Sequence, residues 1–203
     1  MGRGRCCTTC AEGFVDFFEN ILYVGDSTSI AANSWTNDNG LVGSLNAGVY
    51  NWRAVNVSSG GSGVVHWAGA GGFAAAAVAS QTRIPTRILV TLGKNDVAGT
   101  LVEATWKADY LDFLDRFHAA WPDAVVYLSR PWRRDSTTTP LNTVAGWIAD
   151  IQAARATFVE LGPDERVWLE GGDDGATNTT DGVHYSAAGQ VAAAAAWYAV
   201  LPH

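Results

Sequence analysis

Three short polar segments, following one another along the 203-residue chain, carry side chains that could perform nucleophilic catalysis. Ser27 lies in the first segment, Asn95 in the second, and Asp181 and His184 in the third. A serine hydroxyl becomes a nucleophile when a histidine removes its proton, and a carboxylate can orient that histidine. An asparagine amide can donate a hydrogen bond to the oxyanion that forms during acyl transfer. These residue types are therefore the ones that acyl transfer through a serine requires.

The spacing within the third segment makes Asp181 the partner that could orient His184. Asp181 precedes His184 by three residues, so one turn of chain can bring the carboxylate to the imidazole Nδ1 and fix the tautomer. Taken alone, a loop rich in threonine, asparagine and aspartate fits a solvated surface histidine equally well. Asn95 alone is likewise more typical of a turn, because the pattern Gly93-Lys94-Asn95-Asp96 has residues that favour turns at three of its four positions. The presence of Ser27 favours the catalytic interpretation of both.

Two adjacent glycines could supply a further oxyanion donor from the backbone. Gly60 and Gly61 lie in a stretch of serines and glycines at 58–63, where the lack of a side chain lets the backbone approach a substrate closely. Such a stretch also fits an ordinary loop, so this assignment depends on Ser27. We expect an oxyanion hole that combines the Ser27 N–H, the N–H of Gly60 or Gly61, and the Asn95 amide.

Five short, mainly apolar runs predict the β-strands that position these residues. Continuous hydrophobicity, rather than strict alternation, is typical of strands that helices cover on both faces of a parallel sheet. The predicted strands are 20–25, 53–57, 86–92, 123–129 and 166–169. Ligands bind to such a sheet beyond the carboxyl ends of its strands. Each candidate residue follows one of these runs, so we expect all of them at one edge of the sheet.

Three longer segments with apolar residues at helical spacing predict helices at 101–121, 141–161 and 187–201. Pro122 marks the end of the first helix, and Gly162-Pro163 the end of the second. Alternating strands and helices predict an α/β fold, a three-layer α/β/α sandwich with about five parallel strands and right-handed crossovers. The length suits one domain at 19–203, after a loosely ordered N-terminal segment at 1–18.

In combination, the three segments resemble the SGNH hydrolases, also called the GDSL-type esterase and lipase superfamily. The first block of that family is similar to 23–28, the third to 92–96 and the fifth to 181–186. The family's fold is a flavodoxin-like α/β/α sandwich, which agrees with the alternation of strands and helices described above. The resemblance implies cleavage of acyl esters, and in some members of thioesters, without a metal or another cofactor.

The same resemblance implies a role for each candidate side chain. Ser27 is the implied nucleophile and His184 the implied base. Asp181 is implied to orient the histidine, and Asn95 to donate to the oxyanion. Many members of the family act on acetylated sugars, and others act on lysophospholipids or short acyl chains.

The second block of the family has a less regular counterpart in this chain. The family's glycine usually follows a stretch that begins with asparagine, and here Asn56 is followed by two adjacent glycines. The spacing favours Gly61 as the counterpart, with Gly60 next to it. Asp26, in the first block, is expected to hold the turn rather than to take part in the chemistry.

Nine tryptophans are many for a chain of this length, and they suggest a carbohydrate substrate. Trp35 and Trp132 lie in polar loops, where they could form a platform on which a sugar ring stacks, whereas Trp147 is expected to fill the core. No long apolar lid is evident, so we predict a short-chain esterase for small-molecule or carbohydrate esters, with O-acetyl groups on carbohydrates as the expected targets. The alternatives are a lysophospholipase or thioesterase of the same family and a non-catalytic carbohydrate-binding domain.

One further alternative, a nucleotide-binding oxidoreductase, is suggested by the glycine pattern at 69–74. A dinucleotide fingerprint should follow the first strand and have an acidic residue about twenty positions later, at the end of the next strand. Neither condition is met. These glycines are better explained by close packing of a helix on the sheet.

The composition excludes several classes of partner. The net charge of −7 and the absence of any basic cluster longer than Arg133-Arg134 argue against nucleic acids. No apolar run approaches the roughly 18 residues of a membrane span, and no export signal is evident in the chain as given, so we expect a soluble protein of undetermined compartment. Cys6, Cys7 and Cys10 provide fewer than the four ligands of a structural zinc site, and we expect them to be oxidisable thiols.

Overall fold

Five parallel β-strands form the central sheet: β1 (Glu19–Gly25), β2 (Trp52–Asn56), β3 (Arg87–Thr91), β4 (Val125–Arg130) and β5 (Val159–Asp164). The computed structural model describes residues 19–29, 52–80, 83–133, 140–169 and 177–202. The strand order is β2-β1-β3-β4-β5, and each neighbouring pair is parallel. This is the flavodoxin-like order, and it confirms the predicted parallel sheet.

Helices cover both faces of this sheet. Within the described ranges they are α1 (Val64–Ala68), α2 (Ala70–Ser80), α3 (Glu103–Ala120), α4 (Leu141–Ala154), α5 (Glu165–Leu169) and α6 (Ala187–Val200). Short 3-10 turns follow β1 and β3, at Ser27–Ser29 and Asp96–Ala98. Helices α3 and α6 lie within one or two residues of the bounds that the sequence predicted, and the fold is the expected three-layer α/β/α sandwich.

The core is divided between the two faces of the sheet. Leu22 and Val24 of β1 pack with side chains from α1, α2, α3 and α4, whereas Ile21 and Tyr23 pack with Trp197 and other side chains of α6. Successive side chains of a strand point to opposite faces, so each strand needs apolar residues at nearly every position. This requirement explains the continuous hydrophobic runs in the sequence.

The predicted position of the fifth strand is wrong. Residues 166–169 belong to α5, while β5 occupies Val159–Asp164, a segment predicted to belong partly to the preceding helix. Gly162 and Pro163 resemble a helix stop in the sequence, but they lie in β5, at the edge of the described sheet, where the register with β4 shifts. A proline is tolerated at such an edge because its missing N–H interrupts no ladder between two central strands. Helix α4 therefore ends at Ala154, and Phe158 is buried after the helix rather than within it.

Close packing of α6 on β5 explains the glycine at position 162. A Cβ atom on Gly162 would lie 2.8 Å from two ring atoms of Trp197 and 3.1 Å from the carbonyl carbon of Leu128. We expect Gly162→Ala to lower the free energy of unfolding by about 1–3 kcal/mol, because overpacking displaces buried neighbours. Chemical denaturation measures the change. Gly146→Ala in α4 is the matched control, since outside its own helix backbone no described residue lies within 4 Å of its added Cβ. Equal stability of the two variants would contradict the expected overpacking.

Candidate active site

Ser27 is the first residue of the 3-10 turn that follows β1, and Asp26 lies between the strand and the turn. The turn is held by Asp26, whose Oδ1 accepts hydrogen bonds from the Thr28 N–H at 2.9 Å and from the Thr28 hydroxyl at 2.7 Å. Asp26 and Thr28 are buried, while Ser27 is half-buried. The contacts confirm the expectation that Asp26 fixes the turn, and they place Ser27 at the carboxyl edge of the sheet.

A closed loop before α6 positions His184. An antiparallel bridge joins Thr179 and Tyr185, and the Thr180 N–H donates to the His184 carbonyl at 2.8 Å. Gly182 has a φ of 88°, in the left-handed region that favours glycine, and its N–H donates to the Thr179 hydroxyl at 3.0 Å. The loop is therefore held by its own backbone and by a buried threonine.

Asp181 orients the His184 ring through several contacts. Its Oδ2 lies 2.7 Å from His184 Nδ1, and its Oδ1 accepts the backbone N–H groups of Val183 at 2.9 Å and His184 at 2.8 Å. Partial burial raises the pKa of the Asp181 carboxyl. Hydrogen bonds from the N–H groups of His184 and Val183 and the contact with the imidazole have a larger, opposite effect, and they lower the pKa to about 2. The carboxylate is thus ionised throughout the neutral range.

The opposite side of the imidazole faces the serine. His184 Nε2 lies 2.9 Å from Ser27 Oγ, although the two residues are 157 positions apart in the chain. The His184 and Asp181 side chains remain 41% and 52% exposed, so a substrate can reach this pair from solvent. The structure therefore brings Ser27, His184 and Asp181 together in the hydrogen-bonded order that the sequence suggested.

Asn95 and the two glycines lie on loops that are joined to each other and to the end of β1. The Asn95 Nδ2 donates to the Ser62 carbonyl at 2.8 Å, and the Ser62 hydroxyl donates to the Gly25 carbonyl at 3.1 Å. Gly61 has a φ of 71°, which favours glycine, and apart from adjacent residues no described part of the chain lies within 4 Å of a Cβ added at Gly60 or Gly61. Both glycine N–H groups remain candidates for donation to an oxyanion.

Comparison with known protein families identifies the family of this chain. The sequence matches the GDSL-like Lipase/Acylhydrolase family over residues 23–192, a range that includes every candidate residue named in the preceding paragraphs. The chain belongs to this family. Membership supports a serine hydrolase of acyl esters, of the esterase or lipase type, and it confirms the resemblance noted in the sequence. Among curated proteins, none matches the sequence.

Solved structures of other GDSL hydrolases share the fold. The psychrotrophic esterase EstA from Pseudoalteromonas sp. superposes with a TM-score of 0.69 at 17% identity, covering 89% of this chain and 95% of that one. The lipase/acylhydrolase from Enterococcus faecalis gives 0.68 at 16% identity, with coverages of 88% and 92%. A lipolytic G-D-S-L family protein from Veillonella parvula gives 0.70 at 16% identity, with coverages of 90% and 98%. At these identities the likeness concerns the fold.

Asp96 has a structural position in this GDSL hydrolase. The two oxygens of its carboxylate accept the Val64 N–H, at 3.1 Å and 3.2 Å. This contact caps the start of α1 with a side chain from a distant part of the chain. A side chain at Gly63 would collide with the same carboxylate. Burial raises the pKa of the Asp96 carboxyl, and the Val64 N–H opposes that rise. Asp96 therefore ties the segment after β3 to the helix that follows the glycine-rich loop.

The predicted tryptophan platform is not supported at Trp132. Its side chain packs in the core on the α6 face of the sheet and is only 6% exposed, so it has little free surface on which a sugar could stack. The surrounding polar residues suggested an exposed loop, but the tryptophan points inward. Trp35 lies outside the described residues, and its role stays a prediction. Trp147 is buried in the core, as expected.

Sequence reasoning missed a buried polar cluster behind the GDSL hydrolase site. Lys94, Glu165 and Tyr185 are fully or almost fully buried and contact one another. Lys94 and Tyr185 adjoin Asn95 and His184 in the sequence, but nothing in a sequence distinguishes a buried lysine from a solvated one. The pairing of Lys94 with Glu165 can be seen only in the folded structure.

The described ranges show neither a metal cluster nor a helix suited to a membrane. No group of three or more His, Cys, Asp or Glu side chains in these ranges is placed to hold a metal ion. No helix in the same ranges is long and apolar enough to cross a bilayer. Cys6, Cys7 and Cys10 lie outside the described residues, and their expected oxidation stays a prediction.

Proposed function

We propose that this GDSL hydrolase is a serine esterase for short-chain acyl esters, with Ser27 as nucleophile, His184 as general base and Asp181 as its orienting partner. The observation that carries the proposal is the 2.9 Å distance between Ser27 Oγ and His184 Nε2. It lies within the reach that proton transfer from a hydroxyl requires. The 2.7 Å contact of Asp181 with Nδ1 supports the proposal, because it holds Nε2 in the unprotonated form that accepts a proton.

The reaction follows from this arrangement. Ser27 Oγ attacks the ester carbonyl carbon while its proton moves to His184 Nε2, and the carbonyl oxygen becomes an oxyanion. Collapse of this intermediate breaks the bond to the alcohol oxygen, which takes the proton from His184. Water then attacks the acyl-Ser27 ester, gives a proton to His184, and releases the acid after that proton returns to Ser27 Oγ.

Three donors would stabilise the oxyanion. They are the Ser27 N–H, the Asn95 amide, and the N–H of Gly60 or Gly61. Asn95 uses one amide hydrogen in its bond to the Ser62 carbonyl, and an amide group has a second to offer. The bond to Ser62 holds the amide in place before substrate binds, so little reorganisation is required when negative charge develops.

Acetylated carbohydrates are the substrates that we propose within this class. Exposure of the His184 and Asp181 side chains leaves room for a bulky alcohol on that side of the serine. Stacking of a sugar would depend on Trp35, because Trp132 is buried. The competing substrates are lysophospholipids and acyl thioesters, and the competing non-enzymatic role is carbohydrate binding.

Reaction with a serine-directed phosphonate separates an enzyme from a binding domain. The Pseudoalteromonas esterase with the same fold was solved inhibited by monoethylphosphonate, which recommends this probe. We expect one phosphonyl group to be added to the intact chain, and peptide mass spectrometry to place it on Ser27. Binding of sugars without any adduct would instead favour the carbohydrate-binding domain.

A substrate panel then distinguishes the enzymatic alternatives. We expect kcat/KM to be highest for acetyl esters, including acetylated xylo-oligosaccharides, and to fall as the acyl chain of a p-nitrophenyl ester lengthens. Lysophosphatidylcholine and an acyl-coenzyme A serve as the competing substrates in the same assay. A preference for either of these over every acetyl ester would replace the proposed substrate class.

A further inference from the structure

A buried cluster connects the two loops that carry Asn95 and His184. Lys94 directly precedes Asn95, Tyr185 directly follows His184, and Glu165 is the first residue of α5. The exposed fractions of Lys94, Glu165 and Tyr185 are 0%, 1% and 3%, so none of them is available to a substrate. Any effect of the cluster on the reaction must therefore pass through the neighbouring residues.

Glu165 receives one contact from each loop. Lys94 Nζ lies 2.6 Å from Glu165 Oε2, and the Tyr185 hydroxyl donates to Oε1 at 2.8 Å. The Trp132 N–H, from the segment after β4, donates to Oε2 at 3.3 Å. Lys94 Nζ also lies 4.2 Å from the centre of the Tyr185 ring, a cation–π distance that joins the two loops directly.

The backbone of Lys94 is held from another side. Its carbonyl oxygen accepts a hydrogen bond from Arg133 Nη1 at 2.6 Å. The preceding Gly93 has a φ of 116°, in the region that favours glycine, and this conformation turns the chain between β3 and Lys94. The side chain and the carbonyl of Lys94 are thus both held in place. The next residue in the chain is Asn95, whose side-chain amide would donate to the oxyanion.

Stability alone gives a weak reason for such a cluster. Desolvation of two buried charges can exceed their mutual attraction, and replacing a buried ion pair with apolar side chains of similar volume is often neutral or stabilising. Burial raises the pKa of the Glu165 carboxyl, and Lys94 and the Tyr185 hydroxyl oppose that rise. A geometric role that requires directional contacts accounts for the cluster better than net stabilisation does.

We propose that Lys94, Glu165 and Tyr185 form a positioning unit that fixes the Asn95 amide relative to the His184 imidazole. The inference rests on the proposed function, since it assigns these three residues to the support of that site. None of the three touches the reacting atoms. Loss of the unit should misplace the oxyanion donor relative to the base by a fraction of an ångström to an ångström, and so slow the chemical step more than it weakens substrate binding.

Two variants test the positioning unit. Lys94→Met/Glu165→Gln removes both charges together and leaves neither one unpaired. Tyr185→Phe removes the hydroxyl that contacts Glu165 but keeps the ring. We expect each variant to lower kcat for an acetyl ester by about 10–100-fold, with KM changed less than about threefold. Stopped-flow measurement of the acyl-enzyme burst should show the loss in acylation.

Tyr110→Phe is the matched control for Tyr185→Phe. Tyr110 is also fully buried, and its hydroxyl has no hydrogen-bond partner within the described part of the chain. We expect its kcat to stay within about twofold of the unchanged protein, because no directional contact is lost. Thermal unfolding of all variants identifies those that are folded. Should the double variant not fold, the comparison between Tyr185→Phe and Tyr110→Phe decides the matter.

The inference and the proposed function can fail separately. A folded double variant, or a folded Tyr185→Phe variant, with unchanged kcat would overturn the positioning unit while Ser27 still reacts with the phosphonate. An equal decrease for Tyr110→Phe and Tyr185→Phe would also overturn it, because the effect would then be one of general packing. Failure of the unchanged protein to react at Ser27 would reject the proposed function itself.

Discussion

Ser27→Ala is expected to lower kcat/KM for an acetyl ester by about 10⁴-fold or more, while substrate binding is retained. The hydroxyl is the only group of the proposed site that forms a bond to the acyl carbon. Its Oγ lies 2.9 Å from His184 Nε2, and alanine leaves the imidazole without a proton to accept. Initial-rate measurements and loss of the phosphonate adduct report the change. Normal turnover by this variant would reject the esterase assignment.

Combining Ser27→Ala with His184→Ala provides a stricter test of the same step. The two residues act as one unit in the proposed mechanism, so the double variant should be about as slow as either single variant rather than slower by the product of the two effects. Ser80→Ala is a suitable control, because this serine lies at the end of α2 and its hydroxyl donates to the Ala77 carbonyl of the same helix. Full multiplicative losses would show that Ser27 and His184 act independently.

Asp181→Asn is expected to lower kcat by about 10³–10⁴-fold with little change in KM. An asparagine can still accept the backbone N–H groups of Val183 and His184 through its oxygen, so the loop should keep its shape. Its amide NH₂ would then face Nδ1 and favour the tautomer that carries the proton on Nε2, which cannot accept the serine proton. Comparison with Asp112→Asn, an exposed carboxylate paired with Arg116 on α3, provides the control.

The pH dependence of stability offers a second measurement on Asp181. Its pKa is lowered to about 2, against an ordinary value of about 3.9 for aspartate. A lowered pKa means that the carboxylate favours the folded state above the ordinary value, and that this contribution is lost as the pH falls towards about 2. The stability difference between the unchanged protein and Asp181→Asn should therefore shrink as the pH falls from about 4 towards about 2. A difference that stays constant down to pH 2 would contradict the lowered pKa.

Local sequence was sufficient to locate Ser27 and Asn95 in the loops that follow β1 and β3, whereas His184 lies beyond α5, 20 residues after the end of β5. Ser27 follows a run of apolar strand formers and a glycine, and a buried aspartate capable of closing the turn precedes it. His184 and Asp181 are separated by three residues, so their contact depends on a single short loop. Such features involve neighbours in the chain, and neighbouring residues interact in much the same way whatever the rest of the fold does. The prediction that Ser27 meets His184 used the rule that parallel strands share one carboxyl edge, although the strand that it placed before His184 is a helix in the structure.

The tertiary structure decided the features that depend on contacts between distant residues. Gly162 and Pro163 resemble a helix end locally, but pairing with β4 and packing against Trp197 place them in a strand. Trp132 lies among polar neighbours in the sequence, yet it faces the core. Lys94 looks like a surface residue until Glu165, 71 positions later, pairs with it inside the protein. Periodicity and composition record the preferences of each segment, whereas burial and charge pairing are set by which segments the folded chain brings together.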